Sequence, residues 1–265
     1  MTPLLTQVPI TIAVAELDGG PGAHGRIGFI ALANGHTSEL EVREILPYPD
    51  IAMYVNRIDS SNEITIDTLR DQQRDLTRAA SLILPSGRLD VMVYGCTSGT
   101  IAMGEATVAA RIHEVRPGIP ISTPFAAAVA ALATLQAKRI ALMMPYTVPV
   151  ARMMSDCLED RGISVVRVAT CNIEHDSDMN RVSPASIYRI VHELEGPDVE
   201  AFFICCTALR GNGVIERLER GLGKPVISSN QALAWHALRI AGYKDPVPNF
   251  GRLLRRQLSE AETSP

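Results

Sequence analysis

The sequence predicts an α/β protein of two pseudo-symmetric domains, each a small parallel sheet flanked by helices, related by internal duplication. Short apolar runs rich in β-branched residues alternate with longer segments of helical periodicity, as in parallel α/β units. The order of these runs repeats in the second half of the chain. Hydrophobic residues form 46% of the 265 residues but aromatic residues only 5%, so we expect a mainly aliphatic core.

Each half contains four predicted strands. In the first half they are RIGFIAL at 26–32, IAMYVNRI at 51–58, DVMVYG at 90–95 and PISTP at 120–124, with helices at 66–84 and 100–115. In the second half the strands lie at 139–145, 164–170, 201–205 and 225–229, with helices at 149–161, 183–194 and 213–221. Gly162, directly after a predicted helix, suits a left-handed C-terminal cap.

Three pairs of segments match between the halves. GRIGFIALAN is echoed by KRIALMMPY, DVMVYGCTSGT by EAFFICCTALR, and GIPISTPFAAAVAAL by GKPVISSNQALAWHAL, at offsets of 113, 110 and 105 residues. Three similar offsets in one order indicate an internal duplication. We predict a first domain of residues 1–123, with 236–265 packing back on it, and a second domain of residues 124–235. The carboxyl ends of their strands should face a shared cleft.

Charge and hydropathy exclude several classes of partner. The net charge of −4 provides no attraction for nucleic acid or an anionic membrane. The longest uncharged apolar stretch, at 125–135, is too short and too Ala-rich to cross a bilayer. Residues 1–20 have an apolar stretch without a basic region before it, which argues against a signal peptide. We expect these residues to form an arm or an edge strand of a cytoplasmic protein.

Five cysteines, an odd number without Cys-x-x-Cys spacing, argue against a disulfide framework and a structural zinc site. Two of them, Cys96 and Cys206, stand at matching strand-to-helix corners. The other three have no partner motif, and we interpret them as packing residues: Cys157, Cys171 and Cys205.

A cysteine between a strand and a helix N-terminus lies where backbone N–H groups and the helix dipole favour negative charge. We therefore expect the thiol pKa of both corner cysteines to fall from about 8.5 toward neutrality. The following residues offer hydroxyl and amide groups suited to a carboxylate: Thr97, Ser98, Thr207 and Ala208. The alternative is that both thiols are small buried hydrophobes, as free cysteines commonly are.

Two opposed thiol groups can transfer protons at carbon. One thiolate removes a proton and the other thiol returns one on the opposite face, or one thiolate adds to an activated double bond so that rotation can occur. Neither route requires a metal or an organic cofactor. The six histidines show no zinc-ligand spacing, and the Gly-x-Gly-x-x-Gly match at 20–25 precedes a strand, whereas a dinucleotide fingerprint follows one.

The segments YGCTSGTIAMGE, MPYTVP and CCTALR resemble the aspartate/glutamate racemase superfamily, in particular its maleate isomerase and arylmalonate decarboxylase branch. HTSE, YVNRI, YGCTSGT and SSNQALAWHAL look closest to the ectoine-utilisation protein A group within it. The resemblance covers about residues 26–253, and the two Cys-Thr corners are its most specific part. It implies a two-domain pseudo-symmetric fold, cofactor independence, and a homo-oligomer, as a dimer or a dimer of dimers.

The resemblance also implies roles for individual residues. Cys96 would be the nucleophile or first base and Cys206 its counterpart. Thr97, Ser98 and Tyr146 match the positions that form a dioxyanion pocket around a carboxylate, although Tyr146 is equally consistent with a turn residue. Arylmalonate decarboxylases keep only the second cysteine, so the presence of both favours racemase or isomerase chemistry.

Two loops depart from the pattern of the maleate isomerases. Their asparagine after the first strand falls on Gly35 here, or on Asn34 with a one-residue slip. A second asparagine is replaced by Asp176, which would repel a second substrate carboxylate and favour an ammonium group. A solvated acidic loop containing Asp176 and Asp178 is the alternative.

The sequence thus predicts a cofactor-independent racemase or isomerase that acts on a small carboxylate. The substrate would be either an amino-acid-type acid, which the resemblance associates with ectoine and diaminobutyrate breakdown, or maleate. An arylmalonate-type decarboxylase is the enzymatic alternative, and a non-catalytic two-lobed carboxylate-binding protein is the third.

Overall fold

The computed structural model describes residues 10–258, and its first half forms one parallel sheet with its helices. The strands are β1 (Gly25–Leu32), β2 (Ile51–Ile58), β3 (Val91–Tyr94) and β4 (Ile121–Ser122). The helices are α1 (Ser38–Ile45), α2 (Ile66–Asp71), α3 (Gln73–Leu82), α4 (Thr97–Met103), α5 (Glu105–His113) and α6 (Pro124–Thr134).

The second half repeats this arrangement. Its strands are β5 (Arg139–Met144), β6 (Ser164–Thr170), β7 (Ala201–Ile204) and β8 (Val226–Ser228). Its helices are α7 (Val148–Glu159), α8 (Asp176–Met179), α9 (Pro184–Glu193), α10 (Asn212–Leu222) and α11 (Ser229–Ile240), and a short 3₁₀ helix follows at Leu253–Arg255.

The two sheets share one topology. The strand orders are β2-β1-β3-β4 and β6-β5-β7-β8, and every neighbouring pair is parallel. Strands β3 and β7, which precede the two corner cysteines, therefore hold equivalent inner positions. The predicted fold class and its internal duplication are confirmed.

The helices differ from the predicted ones where the chain bends. The segment predicted as one helix at 66–84 is α2 followed by α3, and the segment at 100–115 belongs to α4 and α5. Gly104 separates the latter pair with a φ of 83°, a left-handed conformation that glycine adopts without steric cost. Gly162 has a φ of 73° just beyond α7, as its predicted capping role requires.

Four helices were not predicted: α1, α6, α8 and α11. Helix α6 is apolar on nearly all sides (PFAAAVAALAT) and buried, so it carries no polar face to reveal its period. It packs against α11, which also contacts α1. Helix α11 begins with a capping box between Ser228 and Gln231. The helix continues through residue 236, where the second domain was predicted to end, and the division into two domains stays a prediction.

Residues 10–20 join neither sheet, and Ile10, Ile12 and Val14 are more than nine-tenths exposed. This part of the predicted N-terminal arm is therefore not an edge strand, and residues 1–9 lie outside the described part. Within residues 10–258, no helix is long and apolar enough to cross a membrane.

Candidate active site

The Cys96 corner joins β3 to α4. Cys96 is the N-cap residue of α4, and its Sγ accepts a hydrogen bond from the Gly99 N–H at 3.2 Å. The Ser98 hydroxyl lies 3.8 Å from the same sulfur. Cys96 is only 4% exposed, so this polar environment is enclosed by the core. The predicted corner of strand, cysteine and helix is present here.

The Cys206 corner follows β7 but opens into a turn. The Ala208 N–H donates to Cys206 Sγ at 3.3 Å, and Cys206 is 5% exposed. Helix α10 begins only at Asn212. The helix predicted at 213–221 is confirmed, but no helix N-terminus lies directly after this thiol, because the chain first makes a tight turn around the sulfur.

Hydrogen bonds join the two corners directly. The Thr207 hydroxyl donates to the carbonyl of Gly95, the residue before Cys96, at 3.1 Å. The Thr97 hydroxyl donates to Ser229 Oγ at 3.0 Å, and that same oxygen accepts the N–H of Cys206 at 3.1 Å. The two predicted catalytic thiols thus belong to one hydrogen-bonded unit built from both halves, although they lie 110 residues apart in the chain.

The predicted fall in thiol pKa is wrong for both corners. Burial raises the pKa of Cys96, and the Gly99, Ser98 and Tyr94 hydrogen bonds offset only part of that effect. Burial raises the pKa of Cys206 to about 12. The negative charge of Asp176 raises both values further. Desolvation therefore outweighs the local amides, and both thiols are protonated at neutral pH.

Each thiol has a tyrosine hydroxyl beside it. The Tyr146 hydroxyl lies close enough to Cys206 to stabilise its thiolate and lower its pKa, as the Tyr94 hydroxyl does for Cys96. Both tyrosines are buried, and Tyr146 also stands at the bend between β5 and α7. The Tyr94 hydroxyl also donates to Gln72 Oε1. The sequence analysis did not identify Tyr94 or Gln72 as site residues. Tyr94 could have been identified from its position at the end of β3, two residues before Cys96.

Asp176 lies in the site, at the start of α8, and is 7% exposed. Its carboxylate accepts a hydrogen bond from Asn180 Nδ2 at 3.0 Å, and Asn180 Oδ1 accepts one from the Thr37 hydroxyl at 2.9 Å. Burial raises the pKa of Asp176, while Asn180 and the nearby His36 lower it. Asp178, by contrast, is half exposed and pairs with Arg181. The solvated-loop alternative therefore fits Asp178 and not Asp176.

Asn34 lies in the loop after β1, but its side chain is engaged by the backbone. Its Nδ2 donates to the Ser60 carbonyl at 2.6 Å. Asn62 in the same neighbouring loop bonds the start of α8, where its carbonyl accepts the Asp176 N–H at 2.8 Å. The loop at 59–64 thus supports Asp176, and a substrate contact for Asn34 stays a prediction.

Cys157 and Cys171 lie outside this hydrogen-bonded unit and are partly exposed. Cys205 is fully buried at the position equivalent to Gly95, and a hydrogen bond with Ser229 opposes the increase in its pKa that burial causes. Within residues 10–258, no cluster of three or more His, Cys, Asp or Glu side chains could hold a metal ion.

The chain is similar to maleate isomerases and to arylmalonate decarboxylases. A family model described as arylmalonate decarboxylase matches residues 62–254. The chain is 25% identical to the maleate isomerase of Geobacillus stearothermophilus over 246 residues, 87% of this chain and 97% of that protein. It is 31% identical to the arylmalonate decarboxylase of Bordetella bronchiseptica over 157 residues, 58% of this chain and 61% of the relative. The maleate isomerase of Pseudomonas putida S16 superposes with a TM-score of 0.80 at 26% identity, covering 87% of this chain and 98% of that one.

Proposed function

The chain belongs to the arylmalonate decarboxylase family, and on this premise we propose that it is a cofactor-independent isomerase acting on carbon next to a carboxylate. Its place is in the maleate isomerase and arylmalonate decarboxylase branch of the aspartate/glutamate racemase superfamily, as the sequence resemblance predicted. Its curated relatives over most of the chain are maleate isomerases, so the enzyme is of the isomerase type. One observation carries the proposal: Cys96 and Cys206 each follow the end of an equivalent strand by two residues and share one hydrogen-bonded unit.

The proposed reaction uses the two thiols on opposite faces of the substrate. Because both thiols are protonated at neutral pH, one cysteine first releases its proton to solvent. The resulting thiolate takes the proton from the carbon beside the carboxylate and becomes a thiol again. The electron pair left on carbon spreads into the carboxylate, and the second thiol returns a proton on the other face and becomes the thiolate. The Ser98 hydroxyl, 3.8 Å from Cys96 Sγ, and the Ala208 N–H, which contacts Cys206 Sγ, lie beside the two sulfurs and suit the charge that the carboxylate gains. The Thr97 and Thr207 hydroxyl groups instead donate to Ser229 and to the Gly95 carbonyl, and so hold the two corners together.

A substrate with a double bond would use the same groups differently. One thiolate forms a bond to an alkene carbon, and the π electrons move to the neighbouring carbon beside the carboxylate. Rotation about the resulting single bond and expulsion of the thiolate then give the isomeric alkene. The naming of the curated relatives as maleate isomerases favours this route as the second candidate.

Asp176 supports an amine-bearing acid as the substrate. Its carboxylate is buried near both thiols, and among the described residues no lysine or arginine forms an ion pair with it. A buried carboxylate is stabilised by a cation, and a substrate ammonium group would supply one. The resemblance to the ectoine-utilisation group points to a diaminobutyrate-type acid.

A decarboxylase is the alternative favoured by the description of the matching family model. It would need only one protonating thiol, which the resemblance assigns to Cys206, together with an apolar pocket to expel carbon dioxide. A two-lobed protein that binds a carboxylate without turnover is the non-enzymatic alternative.

The test is proton NMR in deuterated buffer with diaminobutyrate and its acetylated forms, aspartate, maleate and a phenylmalonate. Wild type is compared with Cys96→Ala, Cys206→Ala and the control Cys157→Ala, which removes a partly exposed thiol of α7. We expect exchange or isomerisation that either corner variant abolishes and the control retains. Loss of carbon dioxide that depends on Cys206 alone would establish the decarboxylase. Thermal stabilisation by a ligand without turnover in any variant would establish the binding protein.

We further propose that the enzyme is cytoplasmic, where its five thiols would stay reduced, and that it is a homo-oligomer. Fractionation and light scattering test these two points.

A further inference from the structure

A buried carboxylate links the first half of the molecule to the Cys206 corner. Glu41 lies on α1 and is 7% exposed, but its bonding partners come from the second half. Its Oε1 accepts the backbone N–H of Asn212, the first residue of α10, at 2.9 Å. Its Oε2 accepts Asn230 Nδ2, from the first turn of α11, at 2.8 Å. We call these three side chains the Glu41 clamp.

The clamp reaches the reactive corner through Asn230. The same Nδ2 also donates to the carbonyl of Thr207 at 3.1 Å and, more weakly, to that of Leu209 at 3.4 Å. These carbonyls belong to the turn that wraps Cys206. Asn230 also follows Ser229, whose hydroxyl accepts the Cys206 N–H. The backbone on both sides of the thiol is therefore held by two consecutive residues of α11, one of which is held by Glu41.

The side-chain amides of Asn212 and Asn230 are oriented by the acceptors that their NH₂ groups meet. Among the described residues, Asn212 Oδ1 and Asn230 Oδ1 are buried and have no hydrogen-bond partner. The Asn212 NH₂ group donates to the Glu41 backbone carbonyl and to the Glu44 carboxylate. The Asn230 NH₂ group donates to the Glu41 carboxylate and to the carbonyls of the turn, so the oxygen of each amide is left without a donor. Leaving a buried acceptor unpaired costs stability, so the arrangement depends on the acceptors that the NH₂ groups meet.

We propose that Glu41 is a positioning residue for Cys206, holding the turn around this thiol through Asn230 and the start of α10. This inference rests on the proposed function, in which Cys206 must face the substrate opposite Cys96. In the part of the chain that the structure describes, no lysine or arginine pairs with Glu41, so its charge is balanced by N–H donors alone.

Protonation of Glu41 should loosen the clamp. Burial raises the pKa of Glu41 to about 7, with the Asn230, Asn212 and Gly211 hydrogen bonds opposing and the charge of Glu44 adding to the increase. A protonated carboxyl cannot accept both N–H groups, so one bond is lost as the pH falls through 7. The other ionisable groups facing this region are Arg210 and His36, which line the adjoining cavity of about 470 Å³ with Glu44.

The test measures alkylation of Cys206 relative to Cys96 by iodoacetamide, followed by peptide mass spectrometry. The matched control is Glu219→Gln, because Glu219 is an equally buried carboxylate that accepts two backbone N–H groups but lies apart from both corners. In Glu41→Gln the amide NH₂ must oppose one of the donors. We expect the Cys206 to Cys96 ratio to rise several-fold and kcat to fall on the order of 100-fold with KM little changed. In Glu219→Gln we expect neither change.

The pH dependence of alkylation provides a second readout if Glu41→Gln does not fold. It is measured in an Asp176→Asn background, because Asp176 is a buried carboxylate whose charge acts on both thiols. Both thiols titrate above neutrality, so their ratio of alkylation rates should then be constant with pH except where the clamp changes. We expect the ratio to rise as the pH falls from 8 to 5, with a midpoint near 7. A flat ratio, or Glu41→Gln behaving as Glu219→Gln does, would overturn the proposal. Because alkylation needs no substrate, a responsive ratio without turnover would refute the proposed function and leave the clamp standing.

Discussion

Gly99 is the position at which one added methyl group should most directly displace the candidate nucleophile. Its N–H holds Cys96 Sγ, and a Cβ built on it would lie 2.4 Å from the Tyr94 hydroxyl, 2.6 Å from Gln72 Oε1 and 2.9 Å from Cys96 Sγ. Ordinary contacts begin at 3.4 Å, so the hydroxyl would have to move by about 1 Å and the sulfur by about half as much. All three neighbours are buried, so they have little room to move.

The cost follows from the packing around this residue. Overfilling a well-packed core destabilises a protein by about 1–3 kcal/mol, so Gly99→Ala should lower the free energy of unfolding by that amount. Displacement of a reacting group by about 1 Å can reduce the rate on the order of 100-fold. We therefore expect a large loss of kcat beside a moderate loss of stability.

The assay combines urea unfolding with the NMR exchange rate and the rate of Cys96 alkylation. Gly213→Ala is the control, because a Cβ there meets nothing within 4 Å. That variant should change stability by less than about 1 kcal/mol and leave the exchange rate intact. If Gly99→Ala kept the turnover and the Cys96 reactivity of wild type, the view that Tyr94, Gln72 and Cys96 are tightly packed against Gly99 would be refuted.

Three further outcomes follow from the charges and hydrogen bonds. Asp176→Asn removes the negative charge that raises both thiol pKa values, so the midpoint of the pH dependence of the alkylation rate should move to lower pH for Cys96 and Cys206. An unchanged midpoint would contradict this placement of Asp176. Tyr146→Phe removes the hydroxyl that stabilises the Cys206 thiolate, so the profile of this cysteine should move to higher pH, as pH-dependent mass spectrometry would show. Burial lowers the pKa of His236 from 6.5 to about 4, so the folded state binds fewer protons than the unfolded state between these values. The stability advantage of wild type over His236→Gln should therefore shrink by about 3 kcal/mol from pH 7 to pH 4 in urea titrations, and a constant difference would show that the histidine is not desolvated.

Local patterns were sufficient for the strands and for the duplication. The inner strands β3 (VMVY) and β7 (AFFI) are continuous apolar runs, and the same cysteine and threonine follow both of them. Such runs are recognisable because strands buried on both faces need no polar residues. Helix α6 escaped prediction for the related reason that it is buried on nearly all sides, which removes the amphipathic period. The short, charged α1 offers little apolar signal, although it carries Glu41.

Some residues of the candidate site could also be recognised from the sequence, whereas others were revealed only by the structure. Cys96, Cys206, Thr97 and Thr207 could be selected from the sequence because their corner motif repeats. Ser229, which bonds to both corners, lies in the repeated segment SSNQALAWHAL at the start of α11, but nothing in that segment indicated a contact with the cysteines. Its role depends on a contact that only the packing of the two halves creates.

By itself, the sequence determined the α/β class, the repeated order of strands and the two cysteine corners, since these depend on side-chain periodicity and on residues adjacent in the chain. Only the tertiary structure decided the direction of the thiol pKa shifts, the burial of Asp176 and the attachment of Glu41 to the Cys206 corner. The local amides predicted a lowered thiol pKa, but burial by both halves outweighed them. Desolvation and hydrogen-bond partnership depend on every atom that surrounds a group, and most of those atoms come from distant parts of the chain.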